Sequence, residues 1–262
     1  MPVLFICLLA ILCGALLQNP DKRGAANHRP GHSNLLAARA DSDVPKPLKT
    51  GSPRVDYASL PLFFEQNLGQ SDAAVRYLAR GTGYGLFLAP GEVVLSLVAG
   101  DSQPARSAVV RMKFGGARLS PRLSGLDPLP GKSNYFVGDD SLRWQTGLTQ
   151  YERVRYEQLY DGIDAIFYGK QRELEYDLVV SPQADPSAVV LDFEGATSLH
   201  LDAGGDLLLE TPLGEVRQRR PVAYQEFDGE RRPVEASFRL HGSRVTFDVG
   251  RYDRSRPLVI DP

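Results

Sequence analysis

From about residue 60 onward, apolar and polar residues alternate in short runs, and glycine, proline and aspartate separate these runs roughly every 8 to 15 residues. A period of two is that of a half-buried β-strand, and the intervening residues favour tight turns. Residues 86–88 and 93–98 therefore form a predicted hairpin around Pro90-Gly91. Further hairpins are predicted around Ala203-Gly204-Gly205 (residues 198–201 and 206–211), at Asp228-Gly229, and at His241-Gly242-Ser243 before the alternating run 244–249.

This spacing leaves little room for helices between strands and favours antiparallel pairing. The chain has 25 glycines and 19 prolines among 262 residues. Their combined share, about 17%, exceeds the roughly 12% of average usage. We expect an all-β fold, a mostly antiparallel β-sandwich or open barrel with few short helices. Two packed β subdomains are a further option, with a boundary near residues 138–149. The best helical candidate is residues 71–80.

The N-terminal quarter has a different character. Residues 1–17 are apolar and uncharged, which predicts a signal peptide, and an uncleaved leader would be the only membrane contact. Residues 18–59 are rich in Pro, Ala, Ser, Asp and Lys without a sustained period, so we interpret them as a disordered linker before a β-rich domain at 60–262. Both cysteines, Cys7 and Cys13, lie in the leader, so the exported domain would be free of disulfides and thiol chemistry.

The formal charge is −2, from 30 Lys and Arg against 32 Asp and Glu. A chain without an excess of positive charge lacks the electrostatic footprint of a nucleic-acid binder. We therefore expect no nucleic acid among its partners.

The sharpest chemical pattern is Glu173, Glu175 and Asp177, which alternate with apolar residues and so share one face of a strand. Same-face neighbours lie about 7 Å apart, near the carboxyl separation of inverting glycosidases. Catalysis by this acidic triplet and binding of a cation such as calcium are two options. The third, which we favour, is ion pairing with Arg153 and Arg155, which show the same alternation and could face the triplet from a neighbouring strand.

Other polar residues carry weaker signals. Asp161-Gly162-Ile163-Asp164 and Asp139-Asp140 could ligate calcium, but neither matches an EF-hand loop and both fit turn chemistry better. His200 and His241 occur without a Gly-x-Ser-x-Gly elbow, so a serine hydrolase has little support. Aromatic residues could form a sugar-binding surface, although they fit a sheet core better: Trp144, Tyr135, Tyr151, Tyr156, Tyr160 and Tyr168. We assign no catalytic, cofactor-binding or metal-binding residue.

Several phrases resemble the N-terminal domain of bacterial SBBP-repeat (β-propeller repeat) surface proteins, over roughly residues 60–262. They are Phe64-Glu65-Gln66-Asn67-Leu68-Gly69-Gln70, Val75-Arg76-Tyr77-Leu78-Ala79-Arg80-Gly81, Asn134-Tyr135-Phe136-Val137-Gly138, Tyr160-Asp161-Gly162-Ile163-Asp164, Tyr168-Gly169, Leu174-Glu175-Tyr176-Asp177, Ala184-Asp185-Pro186, Pro221-Val222-Ala223-Tyr224-Gln225 and residues 252–262. In those proteins the last phrase leads into propeller repeats, so the resemblance implies either a truncated product without its repeats or a domain that stands alone. The resemblance implies an exported, surface-associated domain without established catalytic residues.

We therefore expect a secreted or envelope-associated, non-catalytic structural or interaction module that needs no cofactor and binds an unknown protein or glycan at the cell surface. The alternatives are a secreted carbohydrate-active hydrolase that uses Glu173, Glu175 and Asp177, and a carbohydrate-binding module. Paired carboxylates would favour the interaction module. An open cleft with at least two unpaired carboxylates would favour the hydrolase, and a shallow strip of exposed aromatics would favour the sugar binder.

Overall fold

A computed structural model describes residues 62–81, 83–99, 106–170 and 173–262. These residues form eighteen strands and no α-helix. The strands are β1 (Phe64–Gln66), β2 (Tyr77–Gly81), β3 (Tyr84–Ala89), β4 (Glu92–Val98), β5 (Ser107–Gly115), β6 (Arg122–Tyr135), β7 (Gln145–Tyr160), β8 (Ile163–Lys170), β9 (Glu173–Val180), β10 (Val190–Glu194), β11 (Ser198–Leu201), β12 (Leu207–Thr211), β13 (Gly214–Gln218), β14 (Val222–Phe227), β15 (Glu230–Val234), β16 (Ala236–His241), β17 (Arg244–Val249) and β18 (Leu258–Asp261). Two single 3-10 turns occupy Ser141–Arg143 and Pro186–Ala188.

Fifteen strands form one antiparallel sheet that divides at β7. Tyr151 of β7 lies between Phe64 of β1 and Pro128 of β6, and Arg153 lies between Tyr168 of β8 and Leu126 of β6. A strand has only two edges, so β8 and β1 follow one another along the edge of β7 that faces away from β6.

Two arms of the sheet leave this shared edge. One arm runs β1-β2-β3-β4-β5-β10-β17-β16, and the other runs β8-β9-β18-β14-β15. Strands near the far ends of the two arms, β14 and β16, approach each other, so the sheet is barrel-like and nearly closed. The all-β, mostly antiparallel fold class is thus confirmed.

The space between the arms holds a single apolar core. Alternation places Ala165 and Phe167 of β8 inside, and Leu178 of β9 and Ile260 of β18 also point inward. The largest fully buried side chain is Tyr156 of β7, whose hydroxyl donates to the carbonyl of Ala89 at 3.0 Å. Each strand therefore contributes one apolar face to the core, as the period of two predicts.

Strands β11, β12 and β13 form a separate three-stranded sheet. Leu207 and Leu209 of β12 belong to the same core cluster as the large sheet. The side-chain amide of Gln218, at the end of β13, donates to the hydroxyl of Tyr176 on β9. The small sheet is thus fixed to the barrel by both apolar and polar contacts.

The predicted hairpins are confirmed: β3 and β4 join at Pro90-Gly91, β11 and β12 flank residues 202–206, β14 and β15 join at Asp228-Gly229, and β16 and β17 join at Gly242-Ser243. Each of these turns is encoded by residues adjacent to it in sequence. Local turn chemistry was therefore sufficient to place them.

The helix considered for residues 71–80 is wrong, because residues 77–81 form β2. The reason lies in Asn67, whose side-chain amide donates to the carbonyls of Asp72 at 2.7 Å and Val75 at 2.9 Å. Its carbonyl oxygen accepts from the backbone of Gly69 and Ser71. These side-chain bonds hold the segment before β2 in a loop. They satisfy backbone groups that would otherwise have paired with one another in a helix.

The segment 138–149 leads from β6 into β7, which pair along most of their length, and the described residues belong to one compact unit. The predicted signal peptide at 1–17, with both cysteines, and the linker at 18–59 lie outside the described residues. Nor does the described part contain a helix of the length and apolarity that a membrane crossing requires.

Candidate functional site

The acidic triplet lies on β9, as its alternation predicts. Glu175 and Asp177 are on the outer face, half-buried, whereas Tyr176 and Leu178 are buried on the inner face. The side chain of Glu173 is outside the described part of the structure. Glu175 and Asp177 thus share one face of the strand.

Both carboxylates have partners. The ammonium of Lys170 donates to Glu175 at 3.1 Å, and the hydroxyl of Tyr168 donates to Asp177 at 2.9 Å. Burial raises the pKa of Asp177, the bond from Tyr168 lowers it, and the charges of Asp261 and Glu175 raise it again, so the net shift is upward. Asp177 is thus held by a neutral donor on the adjacent strand β8.

The predicted pairing of the triplet with Arg153 and Arg155 is wrong. Both arginines lie on β7, and β8 intervenes between β7 and β9. Arg153 instead binds Asp127 at 2.5 Å, and Arg155 binds Asp164. The alternation predicted which face of each strand the charged residues occupy. It did not predict that β8 lies between β7 and β9, because alternation alone does not specify which strands pair.

In the Asp161-Gly162-Ile163-Asp164 phrase, Asp161 and Gly162 form the turn between β7 and β8, and Ile163 and Asp164 begin β8. The nearly buried carboxylate of Asp164 accepts from the backbone N–H of Gln158 at 2.7 Å and from Arg155 Nε at 3.0 Å. Asp161 points outward and pairs with Arg118 at 3.1 Å. The geometry is that of a structural turn, in which both carboxylates are occupied by protein donors.

The other candidates are dispersed. Asp140 caps the 3-10 turn at Ser141–Arg143 by accepting from the backbone of Leu142. His200 lies on β11 and His241 ends β16, in two different sheets. Within residues 62–81, 83–99, 106–170 and 173–262, no three His, Cys, Asp or Glu side chains are grouped so that they could hold a metal ion.

Three of the six predicted aromatics, Tyr151, Tyr156 and Tyr160, lie in the core or pack against it. Tyr156 and Tyr160 are buried, and Tyr160 donates its hydroxyl to the carbonyl of Val190 at 2.8 Å. Burial raises the pKa of Tyr160 to about 12. Tyr135, Tyr151 and Tyr168 are partly buried along the sheet. These tyrosines form no continuous exposed strip.

Trp144 differs, because it belongs to an exposed apolar cluster where β6 turns into β7. We call this cluster the apolar tip. Its members are Leu68 (55% exposed), Phe136 (62%), Val137 (65%), Leu142 (94%) and Trp144 (41%).

The apolar tip is ordered by specific contacts. The Phe136 and Trp144 rings meet edge to face with centroids 5.2 Å apart, and Trp144 Nε1 donates to the carbonyl of Gly138 at 3.0 Å. Gln145 Nε2 donates to the carbonyl of Leu68 at 2.8 Å, which ties the neighbouring loop to the hairpin. The tip is therefore a built surface in which the rings are perpendicular rather than a flat platform for sugar stacking.

Sequence reasoning missed Glu65 of β1, which is buried. Its carboxylate accepts hydrogen bonds from the hydroxyls of Ser133 and Tyr135 on β6. Burial and this bond raise the pKa of Tyr135 to about 12. Both partners lie far along the chain from Glu65, so no local spacing could have indicated the contact.

A family model described as "Domain of unknown function (DUF7948)" matches residues 64–262. No curated protein and no solved structure is significantly similar to the chain. The matched region begins at β1 and ends with β18, so it includes every strand described above.

Proposed function

The chain belongs to the DUF7948 family, and from the surface that this domain presents we propose that it is a non-catalytic interaction module that is exported and holds a partner protein at the cell surface. The observation that carries this proposal is the apolar tip. It contains five of the ten exposed large apolar residues found among the described residues.

Such a concentration is unusual for a surface that faces only water. Exposed apolar patches mark contact sites more often than chance, and the Phe136 and Trp144 rings, which touch each other, form such a patch. Isolated apolar residues need no explanation. Leu119, at 95% exposure, is an example of the isolated kind. The tip also contains Trp144 and Phe136, and aromatic side chains are enriched at the centres of protein interfaces.

The state of the carboxylates supports a non-catalytic role. A glycosidase needs one carboxyl group to donate a proton and a second to act as base or nucleophile at a reacting sugar. Here Glu175 is paired with Lys170, and Asp177 accepts from Tyr168 on the outer face of the sheet. The hydrolase hypothesis required at least two unpaired carboxylates in an open cleft.

The nature of the partner follows from the chemistry of the tip and from the resemblance noted above. A perpendicular pair of rings beside aliphatic residues suits an apolar protein pocket better than a sugar ring. The SBBP-repeat surface proteins that the sequence resembles carry a propeller after the corresponding domain, so a propeller of SBBP repeats is the first partner to test. Export rests on the apolar run 1–17.

The test titrates the full chain against a separately purified SBBP-repeat propeller by calorimetry. We expect the Phe136→Ser/Trp144→Ser variant to bind at least about tenfold more weakly than the unaltered chain, because each truncated hot-spot side chain costs about 1 kcal/mol or more. Leu119→Ser is the matched control, since it removes an even more exposed apolar side chain elsewhere.

Equal affinity for all three proteins, or no binding to the propeller at all, would contradict the proposal. A second measurement addresses catalysis by screening the chain for glycan hydrolysis alongside Glu175→Gln. Hydrolysis that disappears in Glu175→Gln while its circular dichroism spectrum is unchanged would replace the interaction module with the hydrolase.

A further inference from the structure

A cavity of about 570 Å3 lies between the two arms of the large sheet. One wall includes Leu95 of β4, Val110 of β5 and Phe193 of β10, and the facing wall includes Phe167 of β8 and Tyr176 of β9. All five side chains lie on the apolar inner faces of their strands. A cavity of this size falls in the range of about 300–1,000 Å3 that is typical of small-molecule sites.

One wall of the cavity is fastened by its own contacts. Phe167 and Tyr176 stack with centroids 5.1 Å apart, and Gln218 of the small sheet holds the Tyr176 hydroxyl. Because Tyr176 is bound from the small sheet, the wall that contains it is fastened and cannot easily shift inward to fill the space. Barrels with such an interior commonly enclose a ligand.

The mouth of the cavity is polar and carries a positive excess. Four cationic side chains line it, Lys170, Arg217, Arg219 and Arg220, together with the acidic side chains of Glu175 and Asp261 and the last residue, Pro262. Lys170 is paired with Glu175, and Arg217 is paired with acids outside the cavity. The exposed guanidinium of Arg220 makes no ion pair with any described residue.

We propose that this cavity binds a free fatty acid, with its hydrocarbon chain between the two arms and its carboxylate at Arg220. Apolar walls favour transfer of the chain from water in proportion to the area buried. A guanidinium at the mouth matches a carboxylate by charge and by its forked donors. The site is separate from the apolar tip, so it does not depend on the proposed function.

The test uses dodecanoate as the probe, below its micelle concentration, titrated into the full chain by calorimetry. We expect one dodecanoate per chain. Arg220→Gln should weaken its binding about tenfold, because it removes a charge-assisted hydrogen bond from a site that is otherwise unchanged. Dodecyltrimethylammonium, which has the same chain and the opposite charge, should bind more weakly than dodecanoate to the unaltered protein.

The matched control is Arg118→Gln. Arg118 pairs with Asp161 at the β7–β8 turn, whereas Lys170 at the cavity mouth lies at the other end of β8. We expect Arg118→Gln to bind dodecanoate as the unaltered chain does. A second variant, Val110→Phe, places a larger side chain in the cavity wall and should weaken binding of both probes.

Three results would overturn the proposal. The first is absence of dodecanoate binding to the folded chain. The second is equal affinity of Arg220→Gln and Arg118→Gln. The third is dodecanoate binding that is unaffected by Val110→Phe in a sample whose circular dichroism spectrum matches that of the unaltered protein, since the probe would then lie elsewhere.

Discussion

At the scale of single residues, Asp164 shows how a buried charge can shape a strand. Gln158 has a positive φ of 51° within β7, where the register between β7 and β8 shifts. Such a bulge exposes a backbone N–H that no ladder partner satisfies. Asp164 accepts that N–H and also binds the Arg155 side chain, so one carboxylate satisfies both donors.

Replacing Asp164 with Ala should lower the free energy of unfolding by about 2 kcal/mol, because hydrogen bonds to a charged group are lost and the partly buried N–H of Gln158 is left without a partner. Asp161→Ala is the matched control from the same turn. Its carboxylate is 98% exposed, so its removal should leave the free energy of unfolding nearly unchanged. Urea denaturation of both variants measures the difference, and comparable losses would contradict this account of the bulge.

At the scale of elements, the outer face of β9 and β18 brings acids together across neighbouring strands. Val259 pairs with Val179 and Ile260 with Leu178, so the continued register sets Asp261 beside Asp177. Burial and the charge of Glu175 raise the pKa of Asp261, while Lys170 and Arg231 lower it less. The two aspartates therefore favour the protonated state more in the folded chain than in the unfolded chain.

Stability should fall as pH rises through the interval between the unfolded and the folded pKa of Asp261, because there the folded state binds more protons. Asp261→Asn removes this titration. We expect it to be more stable than the unaltered chain at pH 7, and this advantage should shrink as the pH falls through that same interval and be lost below the ordinary pKa of aspartate. Thermal unfolding across this pH range measures the effect, with exposed Asp139→Asn as the control. An advantage that does not vary with pH would exclude this explanation.

At the scale of the whole molecule, local patterns predicted more of the fold than of its long-range pairing. Turn residues gave the β3–β4 and β16–β17 hairpins, because their strands are adjacent in sequence. The pairing of β10 with β5 and of β18 with β9 joins distant segments, and alternation gives a strand its two faces without choosing its neighbours.

The candidate site divides in the same way. The outward face of Glu175 and Asp177 could be predicted from their spacing, but the strand that lies beside them could not. Glu65 and the cavity were not predicted, because both arise where segments far apart in sequence meet. The apolar tip left a weak local signal, an apolar run beside turn residues, but nothing in the sequence distinguished it from a buried strand end.

A single core implies a single unfolding event. The apolar cluster includes side chains from both arms and from the small sheet. We therefore expect urea unfolding monitored by far-ultraviolet circular dichroism and by tyrosine fluorescence to give coincident transitions. Two separated transitions would instead indicate the two packed β subdomains considered from sequence. Trp144 is unsuitable as the probe, because it lies on the surface and reports on the tip alone.

The division of the large sheet at β7 couples the lengths of two strands that are remote in sequence. β8 and β1 share one edge of β7 end to end, and a methyl group on Gly169 would lie 2.4 Å from Leu62 Cβ. A residue inserted within β8 would therefore clash with the segment around Leu62, which leads into β1, and would displace β1. Insertions and deletions among homologues should accordingly occur mainly in loops away from this junction, where an added residue displaces no other strand.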